Sequence, residues 1–307
     1  MAIRKLLVAN RGEIAVRIIR AAQSLGIQTV QVHSEADAAM LAVKLADEAL
    51  CIGPAPAAQS YLSIPAILKA AQESGADAVH PGYGFLAENP AFARAVAGAG
   101  LRFVGPDGAT IERMGDKVAA RAAAIALGVP VVPGSEGRVE DTAQTLAAAR
   151  AVGFPVLLKA AAGGGGRGIR IAHDAEELER LAPQARTEAQ AAFGDGGLYV
   201  EKVITNPRHI EVQVMGDGVS AVHCFERECS LQRRRQKVWE EAGAFGLSDT
   251  TRAALCDSAV KLARAVGYSG AGTVEYLYDD ASDAFYFIEM NTRIQVEHPV
   301  TELVTGI

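Results

Sequence analysis

Apolar positions in the first hundred residues fall in short runs separated by stretches of helix length. Lys5–Ala9, Gln28–His33 and Ala76–His80 read as strands, and a helix follows Asn10-Arg-Gly12 as far as about Ser24. Strand and helix alternating in this way predict a mostly parallel sheet flanked by helices. A ligand of such a sheet lies at the carboxyl ends of its strands, where Asn10-Arg-Gly12 and His80-Pro-Gly-Tyr-Gly-Phe85 both fall. The first of these is no dinucleotide fingerprint, because only Gly12 is present. Gly115-Asp-Lys117 opens an alanine-rich helix that ends near Leu127-Gly128, and Val129-Pro-Val-Val-Pro-Gly134 marks a break. A smaller αβ lobe follows, with strands at Phe154–Lys159, Ile169–Ala172 and Leu198–Ile204. From Arg208 onward the pattern predicts strands at His209–Met215 and Ala221–Glu226, and a helix near Thr250–Val266. A hairpin of Gly272–Tyr278 and Ala284–Glu289 then turns at Asp279–Asp283. The fold class expected is therefore α/β.

The last polar stretch sharpens this picture. Read as extended backbone, residues 287–298 place Glu289, Asn291, Arg293, Gln295 and Glu297 on one face, with Met290, Ile294 and Val296 on the other. In the hairpin register Glu275 lies opposite Glu289, with Cβ atoms about 5 Å apart. Facing carboxylates repel unless a cation lies between them. Two readings stand: a solvated strand edge, or a divalent cation held by oxygens with nucleotide phosphates completing its shell.

Composition narrows the class. The chain has 307 residues, half of them hydrophobic and 21% charged, as in a soluble globular protein of two or three lobes. Thirty basic against 36 acidic residues give a net charge of −6, which argues against a nucleic-acid surface while leaving local basic clusters free to bind small anions. Cys51, Cys224, Cys229 and Cys256 show no C-x-x-C spacing, so reduced thiols in a cytoplasmic protein are expected rather than a zinc site. No apolar run reaches the roughly 18 residues of a membrane span, and the amino terminus runs directly into a βα unit.

Several segments carry candidate chemistry. The run Gly163-Gly-Gly-Gly166 between two strand-like segments offers backbone amides for phosphate oxygens and the mobility of a lid, although Gly-Lys-Ser/Thr of a Walker loop is missing. The alternative is a plain flexible hairpin loop. Lys117 and Lys159, each ordinary as a surface charge, suit a nucleotide triphosphate when combined with that loop and the paired glutamates. His209 reads equally as a structural histidine. Arg233-Arg-Arg-Gln-Lys237 reads equally as a solvated charge run or as a source of anion ligands.

At this point the chain resembles biotin carboxylase, an ATP-grasp enzyme that forms a subunit or domain of acetyl-, propionyl- and methylcrotonyl-CoA carboxylases and of pyruvate carboxylase. The matching words are Ala9-Asn-Arg-Gly-Glu-Ile-Ala15, His80-Pro-Gly-Tyr-Gly-Phe-Leu86, Met114-Gly-Asp-Lys117, Gly163-Gly-Gly-Gly-Arg-Gly168, Arg208-His-Ile-Glu-Val-Gln213 and Glu289-Met-Asn-Thr-Arg-Ile-Gln-Val-Glu-His-Pro299, collinear along the chain. The resemblance implies a parallel-sheet N-terminal domain (pre-ATP-grasp, Rossmann-like) over residues 1–115 and an ATP-grasp domain over 116–307. The latter would comprise a lid lobe, 130–204, and an antiparallel C-terminal lobe, 205–307. It also implies that ATP and bicarbonate form carboxyphosphate, whose carboxyl group passes to N1 of biotin on a carrier protein or domain.

Carried over residue by residue, Lys117, Lys159 and the loop Gly163, Gly164, Gly165 and Gly166 would hold ATP phosphates. Glu201, Lys202 and Ile204 would line the adenine hinge, and His209 and Gln232 would contact the nucleotide. Glu275, Glu289 and Asn291 would bind two Mg²⁺ or Mn²⁺ ions. Lys237, Arg293, Gln295 and Val296 would bind bicarbonate, Glu297 would remove its proton, and Arg293 would stabilise the biotin enolate beside Tyr83 and Gly84. No Met-Lys-Met triplet occurs, so biotin would arrive on a partner, with a carboxyltransferase subunit taking the product onward. Other expectations remain: another ATP-grasp ligase, such as a carbamoyl-phosphate synthetase half, or a nucleotide-binding chain without turnover.

Departures from the family pattern cluster near the expected site. Arg235 replaces the usual histidine, Trp239 a small aliphatic residue, and Gly243-Ala-Phe245 a proline-bearing turn. The family's third lobe continues past the position of Ile307. An incomplete C-terminal lobe is therefore expected, lacking a further biotin-contacting arginine and part of the surface of a homodimer.

Overall fold

The computed structural model describes residues 2–161, 169–234 and 236–307. The first sheet is built from β1 (Lys5–Val8), β2 (Gln28–His33), β3 (Glu48–Cys51), β4 (Ala78–His80) and β5 (Arg102–Phe103), all parallel, in the order β3-β2-β1-β4-β5. The helices α1 (Gly12–Ser24), α2 (Leu41–Leu45), α3 (Ile64–Ser74) and α4 (Pro90–Gly98) cross over it. Leu7, Val30, Val32 and Val79 pack on one face of the sheet while Leu6, Val8 and Ala78 pack with α1 on the other. Both faces are buried, which is why these strands read as continuous apolar runs. The reversal of strand order beside β1 places Asn10 and the loop after β4 together. Asn10 Nδ2 donates to Pro81 O and Tyr83 O, both at 2.7 Å.

Aspartates open the next helices by accepting backbone N–H groups that no helical carbonyl can reach. Asp107 caps α5 (Gly108–Gly115) through Thr110 N at 2.7 Å, and Asp116 caps α6 (Lys117–Ala126) through Ala119 N at 2.8 Å. The smaller lobe contains α7 (Thr142–Val152), β6 (Val156–Ala160), β7 (Arg170–Ala172), α8 (Ala175–Phe193) and β8 (Leu198–Lys202). Its three strands run antiparallel in the order β7-β6-β8, with Val156, Leu158, Leu198 and Val200 facing the two helices. The glycine run 163–166 lies outside the described residues, as does Arg235.

The third part is an antiparallel sheet. It comprises β9 (Arg208–Asp217), β10 (Ala221–Glu228), the short pair β11 (Gln232–Arg233) and β12 (Gln236–Lys237), then β13 (Glu241–Ala242), α9 (Asp249–Ala265), β14 (Ser269–Asp279), β15 (Ala284–Asn291) and α10 (His298–Thr305). The main sheet is ordered β13-β10-β9-β14-β15, so β15 is an edge strand. Ile210, Val212, Val214, Val274 and Tyr276 bury one face against α9 and α6. The other face collects Glu211, Gln213, Arg227, Thr273 and Glu275, all buried. None of the described helices is long and apolar enough to cross a membrane.

The expected hairpin forms, with Asp279 paired to Ala284 and Glu275 to Glu289, and a bulge between Glu275 and Tyr276. The expectation of extended backbone through His298 is corrected. β15 ends at Asn291, and residues 292–297 turn back over the polar face before α10 begins. The turn is stabilised by His298 N donating to Gln295 O at 3.2 Å and Val300 N to Glu297 O at 3.0 Å. Gln295 thereby becomes buried, whereas alternation along a strand would have left it on a wet face.

Candidate active site

Glu275 stands at the centre of the polar face. Its Oε1 accepts from Lys237 Nζ at 2.9 Å, Asn291 Nδ2 at 2.6 Å and Gln295 Nε2 at 3.3 Å, and its Oε2 lies 2.7 Å from His209 Nε2. Gln232 Nε2 donates to His209 Nδ1 at 2.8 Å. With Nδ1 accepting, the imidazole proton resides on Nε2 and points at Glu275. Burial raises the Glu275 pKa, but His209 and Lys237 outweigh it and hold the carboxyl well below the usual range.

Lys237 is the hub of this cluster. Its ammonium donates to Glu211, to Glu275 and, at 3.0 Å, to Glu297 Oε1. Burial opposes its charge, yet Glu211 and Glu275 hold its pKa far above the ordinary lysine value. The β11–β12 pair is what delivers it, because Lys237 pairs with Gln232 and so shares a short ladder with the residue that orients His209. Beneath them Arg227 and Glu211 are fully buried as an ion pair, with Arg227 Nε donating to Glu211 Oε1 at 2.7 Å. The same guanidinium reaches Gln213 Oε1 at 2.9 Å, Thr301 Oγ1 at 2.7 Å and Gln295 Oε1 at 2.9 Å. Arg227 thus ties β9, β10, the 292–297 turn and α10 into one network.

Carboxylate oxygens of Glu211, Glu240 and Glu297 lie within 4.8 Å of one another. Neither Glu240 oxygen has a hydrogen-bond partner among the described residues. Burial first, then Glu211, pushes the Glu240 carboxyl up to about 8 against the opposing charge of Lys237. Sequence reasoning missed Glu211, Glu240 and Arg227. Glu211 does lie inside the matched word Arg208–Gln213, but nothing in its spacing distinguishes it from a solvated glutamate.

A second site is a cleft between β6–β8 and the β14–β15 hairpin. Among the described residues its apolar walls include Val132, Leu157, Ile204, Leu277 and Phe287, and its cations are Lys117, Arg121, Lys159 and Lys202, against the single carboxylate Glu201. Lys117, the first residue of α6, sits 3.2 Å from Glu289 Oε2. Lys159 bonds Glu201 across the β6–β8 ladder, and Lys202 Nζ donates to Gly153 O and Phe154 O, both at 2.9 Å. An apolar cleft with an excess of cations in its lining fits a planar base joined to a polyphosphate.

The metal residues can be tested by their chemistry. Glu275 and Glu289 are paired across β14 and β15, and Asn291 follows two residues on, bonded to Glu275. Three hard oxygen donors beside a cation-lined cleft fit Mg²⁺ or Mn²⁺ shared with phosphates. On the far side of the 292–297 turn, Arg293 Nε donates to Glu88 Oε2 at 2.8 Å, while Val296 is exposed. Tyr83 hydrogen-bonds Glu13, and Gly84 is exposed at the same loop. Trp239 and Phe245, two of the departures, are exposed, with Trp239 Nε1 donating to Glu241 Oε1 at 2.7 Å.

Two αβ units closing on a nucleotide-shaped cleft, with carboxylates on an antiparallel floor, define an ATP-grasp ligase. Residues 2–111 match the family "Biotin carboxylase, N-terminal domain", and residues 116–307 match "Carbamoyl-phosphate synthase L chain, ATP binding domain". The biotin carboxylase of Pseudomonas aeruginosa is 57% identical over 305 residues, which is 99% of this chain and 68% of that protein. The chain belongs to the biotin carboxylase family. Among solved structures, a biotin carboxylase–β-γ-ATP complex from Campylobacter jejuni is 49% identical with a TM-score of 0.93, covering all of this chain and 69% of that one. The biotin carboxylase domain dimer of Hydrogenobacter thermophilus 2-oxoglutarate carboxylase, with MgADP, ADP and bicarbonate, is 50% identical, with a TM-score of 0.90 and coverage of 100% and 68%.

Proposed function

We propose that the chain carboxylates biotin with bicarbonate at the expense of ATP, with the residues of the two sites in the following roles. The observation that carries this reading is the position of Lys237, whose one ammonium joins Glu275 on the nucleotide side to Glu297 on the turn. A bicarbonate bound there lies next to both the phosphate-handling and the proton-accepting groups.

The base of ATP enters the slot beside Glu201, Lys202 and Ile204, and the phosphates meet Lys117 and Lys159 under Gly163–Gly166. His209 and Gln232 border the nucleotide and fix the orientation of Glu275. Glu275, Glu289 and Asn291 would hold Mg²⁺ or Mn²⁺, which would supply charge neutralisation for phosphoryl transfer. Lys237, Arg293, Gln295 and the Val296 backbone hold bicarbonate, and Glu297 takes its proton. The bicarbonate oxygen attacks the γ-phosphorus of ATP, giving carboxyphosphate and ADP. The carboxyl group then passes to N1 of biotin beside Tyr83 and Gly84, releasing phosphate, which carries off the N1 proton, while Arg293 stabilises the enolate charge.

The family match over 99% of the chain favours this reading over the other ATP-grasp ligases. Relatives occur as subunits or domains of biotin-dependent carboxylases. The finer proposal is that biotin arrives on a carrier protein or domain, that a carboxyltransferase takes the product, and that the chain self-associates as a homodimer. The proposed functional boundary falls at 115/116, with 130–204 as the lid and 205–307 as the catalytic floor. A reducing, cytoplasmic setting is proposed on the four free cysteines. Transfer of label from isotopic bicarbonate to biotin, dependent on ATP and Mg²⁺, tests the reading. ATP cleavage without labelled biotin would refute it.

A further inference from the structure

Glu88 presents a carboxylate whose two oxygens grip successive residues of the 292–297 turn. Oε2 accepts from Arg293 Nε at 2.8 Å, and Oε1 accepts from the backbone N–H of Thr292 at 3.2 Å. The first residue to leave β15 is therefore fastened to the first lobe, more than two hundred positions away in sequence. Arg293 is held at two further points, with NH1 donating to Ile294 O at 3.1 Å and NH2 to Asn291 Oδ1 at 3.4 Å. One N–H on each terminal nitrogen remains for a ligand.

The segment that carries Glu88 is itself pinned. Ala87 N donates to Gly84 O at 2.9 Å and Asn89 N to Leu86 O at 3.1 Å. Asn89 then caps α4 through Phe92 N at 2.9 Å, and Pro90 follows at the first helical position. Tyr83 and Gly84 begin the same turn. As a source of stability the Glu88–Arg293 pair is weak, because the Glu88 side chain is 43% exposed and solvent screens it. Its geometry is nonetheless specific, since one carboxylate sets both the backbone and the guanidinium of a proposed catalytic residue.

We propose that Glu88 is a positioning residue for Arg293, and that the turn 84–89 thereby couples the biotin-facing loop to the loop that binds bicarbonate. This rests on the function proposed above and adds to it a residue that acts only through Arg293. Without the carboxylate the guanidinium is free to swing about its own side-chain torsions, and a displacement of about 1 Å at a reacting centre is costly.

The test uses Glu88→Gln, which keeps the shape and one acceptor oxygen but removes the charge, and places it in both the natural and the Arg293→Ala backgrounds. In the natural background the biotin-dependent kcat falls on the order of tenfold to a hundredfold. ATP affinity by direct binding, and the melting temperature, stay as in the unaltered protein. In the Arg293→Ala background the same substitution has no further effect, as expected of two residues acting as one unit. Glu88→Asp, which keeps the charge, restores part of the lost turnover. Losses that add in the double variant, or a fall in ATP affinity and melting temperature alongside kcat, overturn the inference while leaving the functional reading intact. An unaltered protein with no biotin-dependent turnover overturns both.

Discussion

Glu275 and Glu289 are paired across β14 and β15, yet the protein treats them in opposite ways. Glu275 is buried, with Lys237 and Asn291 on one oxygen and His209 on the other. Glu289 is 41% exposed and has Lys117 at 3.2 Å. One carboxylate is fixed before any ligand arrives, and the other reaches Lys117, a residue of the cleft lining. We therefore expect Glu289→Gln to leave the unfolding midpoint unchanged, because exposed pairs contribute under about 1 kcal/mol. Glu275→Gln lowers the midpoint, since it removes one of the carboxylates that balance the partly buried Lys237 ammonium and the acceptor of the His209 Nε2–H. Both variants lose Mg²⁺-dependent turnover, by roughly a hundredfold or more. Paired thermal unfolding and ATPase assays separate the two, and equal stability losses would contradict the assignment.

Glu240 predicts a pH dependence of the opposite sign to that of a salt-bridged carboxylate. Its folded-state pKa, about 8, lies above its ordinary value of 4.5. The groups facing it are Glu211, Glu297, Lys237 and Arg227. A raised pKa means that the folded state holds the proton more tightly, so this contribution is complete below about pH 4.5 and is lost as pH rises through about 8. Glu240→Gln, a neutral mimic, should gain stability relative to the unaltered protein at high pH but not at about pH 5. Urea unfolding at the two pH values checks it, and a stability difference that does not change with pH would count against a protonated Glu240.

Arg227 is a structural commitment of the polar face. Its guanidinium is fully buried against Glu211 and also bonds Gln213, Thr301 and Gln295. Without it Glu211 keeps only the Lys237 ammonium, which it shares with Glu275 and Glu297, and Gln213, Thr301 and Gln295 lose their donor. Breaking a buried pair of this kind costs about 3–5 kcal/mol. Arg227→Ala is expected to lower stability by that order in denaturant unfolding and to release the 292–297 turn. A loss below about 1 kcal/mol would show that the network relaxes without it.

Much of this arrangement was legible in the residues because local rules agree with the tertiary result. Gln28–His33 is a strand with the expected bounds, and Lys117 opens its helix because Asp116 is placed to cap it. The Glu275–Glu289 register followed from the turn at Asp279–Asp283, since a two-residue period leaves few pairings. The strand expected to run on to His298 failed for a tertiary reason. Glu88 and Arg227 draw Thr292, Arg293 and Gln295 out of the extended path, and neither partner is near in sequence. Glu211 and Glu240 were illegible for the same cause. Their meaning comes from Lys237, which bonds Glu211 and acts on Glu240 through its charge alone, and which is brought there by the pairing of β11 and β12. A periodicity argument reports which face a side chain takes, but not which charge waits there.

The most direct measurement is ADP release by the 307-residue chain with Mg²⁺ and bicarbonate, with and without free biotin, alongside Glu297→Gln. The account predicts that biotin stimulates turnover and that the substitution lowers the stimulated rate by roughly a hundredfold or more while ATP still binds. Turnover indifferent to biotin, or a fully active Glu297→Gln variant, would contradict the assignment of the Lys237–Glu297 site to bicarbonate activation.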